Sequence, residues 1–185
     1  MKTEAKLKEA MKNIMAMKPI EEINVALLCK KCNIHRQTFY YHYQNIYDLL
    51  SAILLNETIV GLKEANSVSG VMDSFIGYTA KNLKFIQATY HSSARELVEE
   101  LYFGRIYNRL FSIFTISCKD MTKADCRTIA RRFSKHLSEE FSHCFADTEM
   151  TASRMEKQMK RFGSAATEIV LPAMIESYKK EKIKK

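Results

Sequence analysis

Apolar residues recur at steps of three and four along most of this chain, the spacing that puts them on one face of an α-helix. Leu7, Met11, Ile14 and Met15 form the first stripe and predict a helix over about 4–17, stopped by Pro19. Asn24 then precedes the run Val25–Cys29. It is a good N-cap, because its side-chain oxygen can accept from a free backbone N–H. Leu28 and Cys32 share a face, and Asn33 stands at a sharp turn whose left-handed backbone Asn tolerates. Ile34 returns to the core, and a second short helix begins near His35. Phe39 and Tyr43, four apart, belong on its buried side. The opposite side holds Gln37, Thr38 and Tyr41, flanked by Arg36, Tyr40 and His42.

After residue 45 the patterns lengthen. A connecting helix is predicted over about 46–65, with Ile46, Leu49, Leu50, Ile53 and Leu54 on one face and the break at Ala65–Gly70. Further helices are predicted over about 71–90, 93–117, 122–146 and 152–180. Ser93–Glu96 reads as a capping box and Thr122–Asp125 as its near relative. Pro172 falls inside the last pattern and should kink it or end it early. Five glycines and two prolines are too few punctuators for a chain of many strands, and 46% hydrophobic residues suffice for a core. The fold class is therefore all-α, with an N-terminal three-helix unit over 1–45 and a larger helical domain over 46–185.

The formal charge of +8 favours an anionic partner such as nucleic acid. The excess is spread: residues 1–50 carry eight Lys/Arg against five Asp/Glu, and the last seven residues, KKEKIKK, add five Lys against one Glu. That tail reads as a solvated, frayed terminus. The charged, amphipathic start does not read as a secretory signal, and no stretch approaches the ~18 apolar residues that span a bilayer. Five cysteines, an odd number, fit reduced thiols in a cytoplasm. A lone Cys29-x-x-Cys32 is weak evidence for metal, and both positions suit a small hydrophobe. His136, His143 and Cys144 share one predicted helix, again a weak metal signal. No paired carboxylates, Gly-rich phosphate loop or Ser/His/Asp set is evident. No catalysis, metal or cofactor is expected.

The second short helix carries the chemistry. Two short helices around a tight turn can push side chains into the DNA major groove. There Arg suits guanine, Gln suits adenine, and the Thr methyl suits thymine. Tyr and His suit phosphate oxygens.

This segment resembles the DNA-binding domain of the TetR (tetracycline-repressor-like) family of bacterial transcription regulators. Asn24 takes the place of the family's Thr, Leu28-Cys29 that of Ile-Ala, and Cys32-Asn33-Ile34-His35 that of Ala-Gly-Val-Ser. Thr38-Phe39-Tyr40, His42-Tyr43 and Leu49-Leu50 match directly. Three positions depart: His35 replaces a Ser N-cap, Asn33 replaces Gly, and Ile46 stands where many members place a phosphate-binding Lys. The likeness covers roughly 5–55. It implies that Asn24 touches phosphate, that Arg36, Gln37 and Thr38 approach base edges, and that Tyr40, Tyr41 and His42 contact phosphates or thymine methyls. It further implies a cytoplasmic homodimer on a pseudo-palindromic double-stranded operator, most simply a ligand-responsive repressor. The dimer would use Ile129, Phe133, Leu137, Phe141, Phe145, Met159, Phe162, Ala166, Ile169, Val170, Ala173 and Met174. An unknown small-molecule effector would sit among the middle helices. Candidates for its lining are Tyr78, Phe85, Tyr90, His91, Tyr102, Tyr107, Phe111 and Phe114. The alternatives are an activator or co-regulator answering to a protein partner, and a helical adaptor that has lost DNA binding.

Overall fold

The computed structural model describes residues 2–183, and the described residues are helical without strands. The helices are α1 (Lys2–Met15), α2 (Val25–Cys32), α3 (Arg36–His42), α4 (Ile46–Leu55), α5 (Val68–Tyr90), α6 (Arg95–Ser117), α7 (Lys123–Ala146), α8 (Ala152–Ala165) and α9 (Leu171–Ile183). A short 3-10 turn, Ile20–Glu22, follows Pro19, and a π-turn, Ala166–Val170, joins α8 to α9. None of these helices is long and apolar enough to cross a membrane. The basic run beyond Lys179 lies outside the residues whose side chains are described.

Two compact units divide the chain. The first is Met1–Thr58 with Asn82–Leu101; the second is Ile59–Lys81 with Tyr102–Lys185. Helices α5 and α6 therefore each give one end to either unit.

In the first unit the predicted stripe of α1 is buried: Leu7, Met11, Ile14 and Met15 join Leu28, Phe39, Leu49, Leu50 and Ile53 in one core. Lys12 is drawn in with them. Its Nζ lies 2.8 Å from Glu57 Oε1, 3.4 Å from Asn82 Oδ1 and 5.5 Å from the Phe85 ring centroid.

The connecting helix is shorter than its sequence pattern suggests. It ends at Leu55, not near 65. Asn56 turns its side-chain amide back onto the Ala52 carbonyl at 3.0 Å, and Glu57 is held by Lys12 from 45 residues away. Gly61, at φ +81°, then takes a left-handed turn that a side chain would strain.

In the second unit the ring of Tyr102 is at the centre. It sits 5.0–5.1 Å from Phe75, Phe141 and Phe145. Thr79 Oγ1 donates to the Phe75 carbonyl at 2.6 Å, so the Tyr102 hydroxyl donates to Thr79 across a further 2.6 Å. Ile129, Phe133, Leu137, Phe141, Phe145, Met159 and Ala166 are buried within this single chain. They fill this chain's own core, where they were expected to face a partner copy. From the predicted interface set, Ile169 (69% exposed) and Ala173 stay at the surface, with Phe162, Val170 and Met174 half-buried.

The capping boxes exchange rank. Thr122–Asp125 is the complete one: Thr122 Oγ1 accepts from the Asp125 N–H, and Asp125 accepts from the Thr122 N–H, both at 3.1 Å. Ser93 instead shares a 3.1 Å hydrogen bond with Tyr47 and donates to Glu21 at 3.4 Å. Pro172 does not end the helix. Lacking an N–H and crowding the carbonyl four residues back, it is preceded by the wide turn in which the Leu171 N–H reaches the Ala166 carbonyl.

Candidate nucleic-acid interface

The candidate site lies wholly in the first unit and is built on four helix ends. Asn24 caps α2, its side chain accepting from the Leu27 N–H at 2.9 Å. The other end of α2 closes on Asn33 in the left-handed conformation, φ 52° and ψ 55°. The Ile34 N–H then returns to the Cys29 carbonyl at 3.0 Å, which fixes the angle at which the chain enters α3.

Helix α3 has only seven residues, too few to hold together by its own hydrogen bonds. Burial holds it. Phe39 is fully buried and meets Tyr43 at 5.9 Å and, edge-on, Tyr40 at 5.5 Å. His35 occupies the N-cap position and makes no side-chain cap bond; only its carbonyl serves the helix, accepting from Thr38 at 3.0 Å. The start of α3 thus lacks the cap that Ser would supply.

With Phe39 and Tyr43 inward, Arg36, Gln37, Tyr40 and Tyr41 face solvent, Tyr40 at 57% and Tyr41 at 85% exposure. Thr38 and His42 are half-buried. His42 is partly committed elsewhere, with Nδ1 3.2 Å from Glu4 Oε1 of α1 and its ring edge-on to Tyr41 at 5.0 Å. Tyr41 is the most exposed aromatic of the set.

Helix α4 adds a second capped start. Asn45 accepts from the Asp48 N–H, and Asp48 accepts from the Gln44 N–H, both at 2.9 Å. Ile46 is buried as the first residue of that helix. The starts of α2 and α4 border one groove of about 530 Å³ that Arg36 and Tyr40 also line. Backbone N–H groups left over at helix starts, with the positive end of the helix dipole, favour an anion there. Gln44, Asn45 and Tyr47 line the same groove and escaped the sequence reading. The signal for Asn45 was present: Asn-x-x-Asp before an apolar run is a cap pattern.

Cys29 and Cys32 sit behind this surface. Burial raises both thiols above their ordinary value, against the field of Arg36 for Cys29 and Lys6 for Cys32. Cys32 Sγ donates to the Lys6 carbonyl at 3.6 Å. Held protonated, both act as small packing groups.

The pocket candidates are shared between the two units. Phe85, Tyr90 and His91 belong to the first unit, and Tyr78, Tyr102, Tyr107, Phe111 and Phe114 to the second. Phe85 lies under Lys12, and Tyr90 lies under Arg95, whose guanidinium is 4.2 Å away. His91 is exposed, and Phe114 is buried. Tyr78 and Tyr102 share the central ring cluster at 6.5 Å, while Tyr107 and Phe111 stack at 6.0 Å on the half-exposed face of α6.

No protein-family model matches the chain, and no curated protein matches it. Among solved structures, the dihydroxyacetone kinase operon activator DhaS superposes with a TM-score of 0.70, covering 90% of this chain and 97% of that one at 19% identity. At that identity the likeness is one of fold: all-helical, with a helix-turn-helix unit followed by longer helices.

Proposed function

We propose that this chain is a cytoplasmic DNA-binding transcription regulator of the TetR type, with residues 1–45 as its reading module. One observation carries the proposal: a short helix buries Phe39 and Tyr43 while Arg36, Gln37, Tyr40 and Tyr41 stand free beside two capped helix starts. Arg36, Gln37 and Thr38 read base edges, while Asn24, Tyr40, Tyr41 and His42 hold the phosphates. The structural likeness to an operon activator supports a regulator.

A homodimer presents two copies of α3 to half-sites about 34–36 Å apart. Ile169, Ala173 and the half-buried Phe162 offer its apolar contact, since the rings of α7 are already used inside the protomer. An effector that prefers one arrangement of the dimer shifts DNA affinity by no more than its differential affinity for the two states. Repression by operator occupancy is the simplest mode. The structural neighbour is an operon activator, which favours a second mode, recruitment at an operator. Selection from a random duplex library is the test. The intact chain enriches a pseudo-palindrome, and Gln37→Ala loses that enrichment at one base position. Recovery of the unselected library by the intact chain rejects the proposal. A reporter fused to the selected site then gives the sign.

A further inference from the structure

A second concave surface lies entirely within the second unit, between α6 and α7. One wall is aromatic. Phe103, Tyr107 and Phe111 recur every fourth residue along α6 with their rings nearly parallel, 12° and 8° between planes and 6.0 Å between successive centroids. They are half-exposed, on a different face from the buried Tyr102, Ile106 and Leu110.

The other wall is basic. Arg127, Arg131 and Lys135 follow one ridge of α7 at four-residue steps, with Arg132 beside them, and all four are exposed. Arg127 lies 5.8 Å from the Phe111 ring, and Arg132 lies 5.9 Å from the Tyr178 ring. Among the described residues, Glu139 is the only carboxylate lining the groove. Among the described residues, none of the four cations has a carboxylate partner within ion-pair distance.

Charge and shape together select the occupant. The groove encloses about 790 Å³, within the ~300–1,000 Å³ typical of small-molecule sites. A second copy brought in face to face would set cations against cations, which opposes association. A duplex would meet the cations with phosphate and leave the ring wall facing nothing flat. We infer that this groove binds a small planar aromatic ligand carrying two negative charges, its ring along Phe103 and Tyr107 and its anionic group on Arg131 and Lys135. The inference needs neither DNA nor an assumed regulatory role.

The probe is 1-naphthyl phosphate, followed by its own fluorescence with the intact chain, against 1-naphthol (ring without charge) and inorganic phosphate (charge without ring). The wild type binds the naphthyl phosphate more tightly than either fragment. The double variant R131Q/K135Q weakens that binding by about tenfold or more, the loss expected when charge-assisted contacts are removed. The double variant K123Q/K160Q, which removes the same charge from exposed positions outside the groove, leaves it unchanged. Equal weakening by both variants overturns the inference, because the effect is then one of net charge. No preference for the naphthyl phosphate over phosphate also overturns it. So does a fall in the light-scattering mass of R131Q/K135Q with unchanged probe affinity, which would make the groove a contact between copies.

Discussion

Replacing Phe39 by Ala separates support from contact in α3. Phe39 is fully buried, and its ring is the one inward anchor inside a helix of seven residues. Removing a buried Phe ring costs about 3–5 kcal/mol, cavity included. The ring contacts at 5.5 and 5.9 Å account for part of that, about 0.5–1.5 kcal/mol per pair beyond burial. The upper half of the range is expected, because a seven-residue helix has no independent stability and loses order with its anchor. Tyr41→Ala is the counterpart. At 85% exposure its ring buries little, so stability should change by under about 0.5 kcal/mol. Urea unfolding followed by far-UV circular dichroism measures both, and amide exchange across 36–43 reports α3 directly. Phe39→Ala should lose sequence-selected DNA binding with a melted helix, whereas Tyr41→Ala, which removes a phosphate contact, should weaken binding to all sequences alike with an intact one. The reasoning fails if Phe39→Ala stays within about 1 kcal/mol of the wild type with α3 amides still protected.

Four further outcomes are expected. Thr122→Ala removes one half of a reciprocal cap and should cost about 1 kcal/mol in urea titrations; an unchanged midpoint would show that α7 starts without it. Ser134→Ala should be neutral or stabilising by up to about 1 kcal/mol, since the Ser134 hydroxyl is buried without a hydrogen-bond partner. A clear loss of stability would reveal a hidden partner. Burial, helped by Glu140 and Asp147, pushes the Cys144 thiol from 9.0 up to about 11. The folded state then keeps a proton that the unfolded chain has lost, so this contribution is present below pH 9 and disappears as pH rises through about 11. Cys144→Ala should therefore show a shallower decline of stability over that window than the wild type, and parallel curves would contradict the assignment. In the proposed dimer, Ile169→Glu places a charge on the apolar contact at the π-turn, and light scattering should report half the wild-type mass; an unchanged mass would reject that contact.

The helix-turn-helix was legible because its determinants are local. Asn24 as cap, Asn33 as a left-handed stop, and the four-residue step from Phe39 to Tyr43 each act within a turn or two of the chain. The early end of α4 was not. Ile53, Leu54 and Leu55 continue a good helical pattern, but Asn56 caps the helix and the chain beyond it is engaged at Glu57 by Lys12, a distant residue no window contains. Ser93 was misread for the same reason, since Tyr47 and Glu21 compete for its hydroxyl. The basic ridge of α7 could be seen in the spacing of Arg127, Arg131 and Lys135. Its meaning could not, because the rings facing it belong to another helix. Of the eight pocket candidates, Tyr78, Phe85, Tyr90, Tyr102 and Phe114 are buried. Periodicity reports that a ring is turned inward, not whether space remains beside it.

The wide turn at Ala166–Val170 also works as a store of slack. Each residue of an α-helix advances the chain by about 100°, and the wider turn absorbs one surplus residue, so deleting one residue there would return the backbone to a regular helix with the flanking faces nearly in place. Tyr178 would keep its place by Arg132, now 5.9 Å away, and Lys179 its place by Asp120, now at 3.5 Å. The same deletion inside α9 would find no slack and would re-aim everything after it by more than a quarter revolution.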